Sequence, residues 1–268
     1  QEREKRVRPG LDDKSLTSWN ALMCKSYADA YMAFGHSDYL NKAIGNANFI
    51  LNQQKKNNGG LWHSYKNGQS TINGFLEDYA FTIEAFIRLY EATFDLQWLE
   101  HSQQLVSYCK GHFYDTESGM FFFTSDEDAP LVARKMEVND NVLPASSSTM
   151  AHNLFVLGQL LGNDDYLNMA NIQLNNIKGQ MSSSPSGYSN WASLMLKYVA
   201  PFYEVAIVGA DAHATALAFY QSYQPNCLLL GSRTESPLPL LQHKMIEGQT
   251  TIFVCQNKSC KLPTTEVK

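Results

Sequence analysis

The fold is indicated by residues 76–113, LEDYAFTIEAFIRLYEATFDLQWLEHSQQLVSYCKGHF, whose helical spacing of apolar residues predicts two helices joined by a tight turn. This stretch is the second of three copies of one pattern. An aromatic-leucine pair recurs at offsets of 59 and 68 residues, as Tyr39-Leu40, Trp98-Leu99 and Tyr166-Leu167. Each copy is followed by a glycine and an aromatic residue, in Gly60-Leu61-Trp62, Gly119-Met120-Phe121 and Gly187-Tyr188. Repeated helix pairs predict a stack or toroid of α-hairpins.

The flanking sequence completes this pattern and then departs from it. The first hairpin is predicted from the N-cap at Thr17-Ser18 to about Gln54, and the third from Ser146 to Ile177. Beyond Pro201 the pattern changes to three short strands and one helix. We therefore predict a mainly α protein, with an incomplete (α/α) hairpin toroid over residues 1–200. A small α/β segment over residues 201–268 is expected to pack on it.

Composition excludes several classes of function. A net charge of −5 and a pI near 5.8 offer no basic stripe for nucleic acid. No apolar run approaches the roughly 20 residues that span a bilayer, and the start of the chain lacks a secretory signal pattern. Five cysteines are an odd number for a disulfide scaffold and favour a reducing, cytoplasmic location. A zinc or redox role for Cys255 and Cys260 stays open, although no metal or other cofactor is expected.

The repeat also predicts where polar residues meet. In an array of hairpins, all first helices run in the same direction, so their N-termini share one face. The equivalent positions Trp19, Asp78 and Ser146 begin these helices, and the connectors return to the same face. Free N–H groups and a positive dipole end make such a face suitable for carboxylates, hydroxyls or an anionic ligand. The sequence therefore predicts a polar, aromatic mouth.

The candidate catalytic residues at this mouth are four carboxylates and one histidine: Asp12, Asp13, Glu77, Asp78 and His63. Two carboxylates can hydrolyse a glycosidic bond, one as the acid and one activating water. An imidazole can abstract a proton next to a carbonyl, as sugar epimerisation requires. The candidate substrate-binding residues are Trp19, Asn20, Trp62, Tyr79 and Phe121. Helix capping by the carboxylates and a hydrogen-bonded structural histidine remain the alternatives.

Several motifs resemble one known family, the YyaL-like, spermatogenesis-associated proteins with a thioredoxin-like domain. They include Arg8-Pro9, Leu11 to Lys14, Leu16 to Asn20, Glu77 to Ala80, Leu89 to Thr93, Gly119 with Phe121 to Thr124, and Val254-Cys255 with Cys260. Where the family tends to carry Pro-Ser-Gly-Asn-Ser, this chain has Pro144-Ala145-Ser146-Ser147-Ser148. The chain thus departs from the family at Ser147.

The resemblance implies a toroid similar to the six-hairpin glycosidase and N-acylglucosamine 2-epimerase folds, and hence carbohydrate chemistry by analogy of fold. It also implies a thioredoxin-like domain and further hairpins before Gln1 in whole family members. The function expected from all of this is glycoside hydrolysis or sugar epimerisation, with a small carbohydrate as ligand. The alternative is a non-catalytic module that binds a partner or positions the thioredoxin-like domain.

Overall fold

The computed structural model describes residues 1–129 and 132–267, and this part of the chain contains eight α-helices. They are α1 (Thr17–Phe34), α2 (Ser37–Phe49), α3 (Leu76–Thr93), α4 (Gln97–His112), α5 (Ser146–Leu161), α6 (Asp164–Met181), α7 (Ser189–Val199) and α8 (Ala212–Phe219). A short π-helical segment, Ile50–Gln54, extends α2. The three predicted hairpins are confirmed as α1–α2, α3–α4 and α5–α6.

The first helices of the hairpins form an inner layer. Helix α3 packs against α1 on one side and α5 on the other, while α7 packs on α5 and α6. The turns within the hairpins are tight because α1 and α5 end at Gly35 and Gly162, whose positive φ angles suit glycine. The architecture is the predicted (α/α) hairpin toroid.

The hydrophobic core is centred on α3, which is buried along nearly its whole length. Its aromatic side chains contact the outer helix α4, for example Phe86 against Trp98 with ring centroids 5.4 Å apart. Apolar side chains of α1, α5, α6 and α7 join the same continuous core. Because α3 is fixed by neighbours on all sides, its N-terminus is a rigid base for functional groups.

The three connectors between hairpins have different structures. The first forms a three-stranded antiparallel sheet, in which β1 (Ser15–Leu16) pairs with β2 (Trp62–Lys66) and β2 pairs with β3 (Gln69–Asn73). The second contains a short ribbon of β4 (Tyr114–Asp115) and β5 (Met120–Phe121). The third ends in a 3-10 turn over Pro185–Tyr188.

The remaining strands form a four-stranded sheet of order β7-β6-β8-β9, made by β6 (Tyr203–Val208), β7 (Cys227–Ser232), β8 (Thr251–Gln256) and β9 (Ser259–Cys260). Strands β6 and β7 are parallel and are joined through α8, whereas the other pairs are antiparallel. Alternate residues of β6 and β7 face opposite sides, as expected for strands. Ala206 and Leu230 join the helical core, while Val205 and Leu229 pack towards α8.

The cysteines partly follow expectation. Cys24 and Cys109 are buried free thiols, as predicted. Cys255 and Cys260 form a disulfide between the paired strands β8 and β9. Their sulfur atoms are therefore joined to each other and not available as zinc ligands. Among the described helices, none is both long and apolar enough to cross a membrane.

Candidate functional site

The N-termini of the inner helices meet through shared carboxylates. Asp78 Oδ1, at the start of α3, accepts a hydrogen bond of 2.9 Å from the backbone N–H of Ser18 at the start of α1. Asp140 joins the next two helices in the same way. It accepts bonds from the N–H of Ala145, which precedes α5, at 2.9 Å, and from the N–H of Asn190 in α7 at 2.8 Å. The first turns of α1, α3, α5 and α7 therefore lie on one face, here called the mouth.

His63 is oriented by Asp78. Its Nδ1 lies 2.9 Å from Asp78 Oδ2, and because the carboxylate accepts, Nδ1 carries the proton and Nε2 is left for other partners. The Phe75 ring packs against the imidazole with centroids 4.9 Å apart. The hydrogen bond to Asp78 raises the pKa of His63, although partial burial opposes this effect. His63 is thus a positioned, partly exposed imidazole.

Glu77 lies beside this pair. Burial raises its pKa, and the nearby carboxylates of Asp78 and Glu137 raise it further. The Ser18 hydroxyl donates to Glu77 Oε1 at 3.4 Å. One oxygen or nitrogen from each of His63, Glu77 and Asp78 falls within 4.8 Å of the others. A carboxylate with a raised pKa near an oriented imidazole is suited to proton transfer.

The same three residues have the donor types of a metal site, but their hydrogen bonds disfavour that use. Asp78 Oδ2 accepts from both His63 and the N–H of Phe75, and Oδ1 accepts from Ser18. Binding a cation through Asp78 would break bonds that cap two helices. The cluster is better described as an Asp–His pair next to a second carboxylate.

Next to Ser18, Trp19 is 63% exposed and lines an open apolar groove of about 510 Å³. The groove lies between the first turns of α1 and the segment before α5, and its other residues are Leu22, Met23, Ser26, Val142 and Leu143. An exposed indole in a groove offers a flat face for the C–H surface of a sugar ring.

The other predicted substrate-binding residues are not found in this groove. Tyr79 and Phe121 are fully buried, so they are core residues and not stacking surfaces, contrary to expectation. The Tyr79 hydroxyl accepts from the N–H of Leu61 at 2.8 Å, which anchors the first connector. Trp62 is half-buried beneath Lys56 Nζ, and the Asn20 amide donates to the Leu16 carbonyl at 2.8 Å. These two residues hold the connector and the start of α1.

Asp12 and Asp13 are also placed differently from expectation. Their side chains are 70% and 49% exposed, and each forms an ion pair with a surface lysine, Lys14 or Lys66. The extended segment before β1 carries them on the surface, and neither is among the groups that act on the pKa of Glu77. The structure therefore brings together His63, Glu77 and Asp78 but leaves Asp12 and Asp13 outside this cluster.

Two further residues belong to the site beyond the predicted candidates. The sequence predicts Ser18 only as an N-cap, yet it contacts both Glu77 and Asp78. Glu137 acts on Glu77 electrostatically, while its Oε2 accepts from the N–H of Ser146 at 2.9 Å. The signal in the sequence is that Glu137 is an acidic residue upstream of a helix start, as Asp12 and Asp13 are before α1.

Comparison with solved structures assigns the chain to the (α/α) toroid fold, which a mannanase and a sugar epimerase share. A GH76 alpha-mannanase from Bacteroides thetaiotaomicron matches with a TM-score of 0.58 and 15% identity, over 88% of this chain and 65% of that chain. A sugar epimerase from a ruminal bacterium matches with a TM-score of 0.52 and 17% identity, over 63% of this chain and 45% of that chain. At such identities the similarity shows the fold alone.

Sequence comparison confirms the resemblance to the spermatogenesis-associated proteins. The chain is 28% identical to spermatogenesis-associated protein 20 of Homo sapiens over 99% of this chain and 36% of that protein. The protein of the same name from Rattus norvegicus is 27% identical, with the same coverage. The chain thus spans about a third of the length of these relatives. No family model matches it.

Proposed function

We propose that the protein acts on a small carbohydrate and transfers a proton at the carbon next to its carbonyl group, as epimerases and isomerases do. One observation carries this proposal: Glu77 lies beside His63, which Asp78 orients, at the mouth of a toroid. One side-chain oxygen or nitrogen atom from each of these three residues lies within 4.8 Å of the others. The exposed ring of Trp19 follows directly after Ser18, which contacts Glu77 and Asp78. The solved toroids that share this fold include a sugar epimerase and a D-mannose isomerase.

The directions of the pKa shifts assign the two roles. Glu77 is the base that removes the proton from carbon 2, and the protonated His63 donates from Nε2 to the carbonyl oxygen. The products of this step are an enediol, a neutral Glu77 and a neutral His63. Glu77 then returns the proton to carbon 1 while His63 takes the proton of the carbon-2 hydroxyl, which gives the ketose isomer. The epimer forms when the enediol turns over in the site, so that Glu77 returns the proton to the opposite face of carbon 2 and His63 takes back the proton of the carbon-1 hydroxyl. Asp78 stabilises the imidazolium but does not touch the sugar.

The test is solvent exchange at carbon 2. Incubating the protein with D-mannose, D-glucose or cellobiose in D2O is expected to introduce deuterium there, as followed by proton NMR. Glu77→Gln and His63→Asn are each expected to lower the exchange rate by about 10²–10⁴-fold. Asp12→Asn is the matched control, since Asp12 lies on the surface, and it should exchange like the unchanged protein.

Two results would contradict this reaction. If none of the three sugars takes up deuterium at carbon 2, the proposed reaction is wrong for these sugars. Release of new reducing ends from α-mannan oligosaccharides without exchange would assign the site to hydrolysis, with Glu77 and Glu137 as the two carboxylates.

The pH dependence of the exchange follows from the same roles. Glu77 must be ionised to act as the base. Because its pKa is raised above the usual 4.5, lowering the pH should already reduce activity before about pH 4.5 is reached. His63 must be protonated, and its pKa is raised above 6.5, so activity should persist past about pH 6.5 before it falls. A bell-shaped profile of kcat/KM is expected, and Asp78→Asn should move the alkaline limb to lower pH. An alkaline limb that stays in place would contradict the role given to Asp78.

One observation favours a second function, that of a non-catalytic binding module. Asp78 and Asp140 are fully engaged with backbone N–H groups, as structural caps would be. In this case the toroid would hold a carbohydrate or position the thioredoxin-like domain implied by the family resemblance. Saturable sugar binding without exchange or hydrolysis would support it.

A cytoplasmic location remains part of the proposal. The buried free thiols of Cys24 and Cys109 are compatible with a reducing environment, whereas the Cys255–Cys260 disulfide is the kind of bond that persists in an oxidising one. Fractionation of cells that express the tagged protein tests it, and recovery only from an oxidising compartment would contradict it.

A further inference from the structure

A second cavity lies along the inner helices, towards the ends opposite the mouth. Its volume is about 500 Å³, within the range of small-molecule sites. The lining comes from the second halves of α1 and α3, the middle of α5, the end of α7 and strand β7. None of the mouth residues His63, Glu77 and Asp78 contributes to it. This cavity, here called the inner cavity, is therefore separate from the mouth.

Most charges in the inner cavity compensate one another. Lys25 Nζ lies 3.2 Å from Asp29 and 3.8 Å from Glu84. Arg88 forms ion pairs with Asp29 and with Glu91, the latter at 2.8 Å. Each of these two cations is thus paired with two carboxylates.

Lys197 is different. Within residues 1–129 and 132–267, no carboxylate oxygen lies within 4.0 Å of its ammonium group, which instead lies 5.1 Å from the centre of the Phe202 ring. Burial lowers the pKa of Lys197, although the negative charge of Glu91 opposes this effect. A cation that lines a cavity and forms no ion pair within 4.0 Å is a binding position for an anionic group.

Two acceptors in the inner cavity also receive no hydrogen bond from the part of the chain that the structure describes. His152 Nε2 is 2.8 Å from the Asn190 carbonyl, so Nε2 carries the proton and Nδ1 has a free lone pair. Burial lowers the pKa of His152 to about 4, which keeps the ring neutral at pH 7. Glu84 has only the long contact to Lys25. Hydroxyl groups are the natural donors to such acceptors, and Ile87 and Val156 supply apolar wall for a carbon skeleton.

We propose that the inner cavity is a second ligand site, which binds a small polyhydroxylated anion such as a sugar phosphate. Its anionic group lies at Lys197, and its hydroxyl groups donate to His152 Nδ1 and Glu84. The site is independent of the chemistry proposed for the mouth.

Isothermal titration calorimetry with glucose 6-phosphate and mannose 6-phosphate tests this site. Saturable binding of at least one of them is expected. Lys197→Met keeps the aliphatic stem but removes the charge, and it should weaken binding by about 10–100-fold, the worth of a charged hydrogen bond. Lys110→Met is the matched control, because Lys110 is another lysine near an aromatic ring, that of Tyr166, but lies outside the cavity. It should bind normally.

Three further arms separate the possible outcomes. Glucose should bind at least about tenfold more weakly than its phosphate, and inorganic phosphate should also bind more weakly because it has no hydroxyls for Glu84 and His152. His63→Asn should bind like the unchanged protein, so that failure at the mouth does not affect this result. Thermal unfolding shows whether each variant is folded. The proposal is overturned if neither sugar phosphate binds, if folded Lys197→Met binds as tightly as the unchanged protein, or if inorganic phosphate binds equally well.

Discussion

Replacing Asp140 by alanine is expected to lower the free energy of unfolding by about 3–5 kcal/mol. Asp140 is buried, and its carboxylate accepts hydrogen bonds from the N–H groups of Ala145 and Asn190 and from the Ser148 hydroxyl. Alanine leaves the N–H groups of Ala145 and Asn190 without an acceptor, the first of them fully buried, while the Ser148 hydroxyl keeps the Ala145 carbonyl at 2.9 Å. Urea unfolding followed by circular dichroism measures the change.

A graded series separates this effect from a general loss of charge. Asp140→Asn keeps one oxygen, which can serve Ala145 and Ser148 but not Asn190, so the loss should be smaller, about 1–2 kcal/mol. Asp12→Ala removes an exposed carboxylate and should change stability by less than about 0.5 kcal/mol. If Asp140→Ala and Asp12→Ala were equally stable, Asp140 would not join α5 and α7 as described.

Replacing Trp191 by alanine is expected to cost about 3–5 kcal/mol of stability, because the whole indole is buried and a cavity replaces it. The substitution also removes the donor to the Val138 carbonyl, which Trp191 Nε1 reaches at 2.8 Å. Trp19→Ala is the matched control in the same residue type. Since Trp19 is 63% exposed, its loss should leave the unfolding midpoint nearly unchanged, and under the proposed function it should weaken carbohydrate binding. Equal stability losses in the two variants would contradict the burial that distinguishes them.

The helical hairpins could be predicted because each leaves a local signal. Gly35 and Gly162 end helices, and the apolar spacing of α3 marks a buried inner helix. The common direction of the inner helices follows from short turns within hairpins. Glu77, Asp78 and His63 can therefore be predicted to share one face without any contact information.

The details of the site could not be predicted in this way. An acidic residue near a helix start looks similar in sequence whether it caps the helix or lies on the surface, as the difference between Asp78 and Asp12 shows. The aromatic residues were ambiguous for a similar reason. Tyr79 follows Asp78 directly, but helical geometry turns it into the core, whereas Trp19 projects outward. Burial of this kind depends on neighbours that are distant in sequence.

The three connectors show that one helical framework accepts loops of unlike construction. The first connector forms two strands of a β-sheet and carries His63. The second contains a ribbon of two short strands, and the third ends in a single 3-10 turn. Helix ends and their carboxylate links stay alike while these insertions vary in length and shape. New substrate specificities can therefore arise by exchanging connectors, with little loss of stability in the helical framework. Proteins that share this fold need not share a reaction.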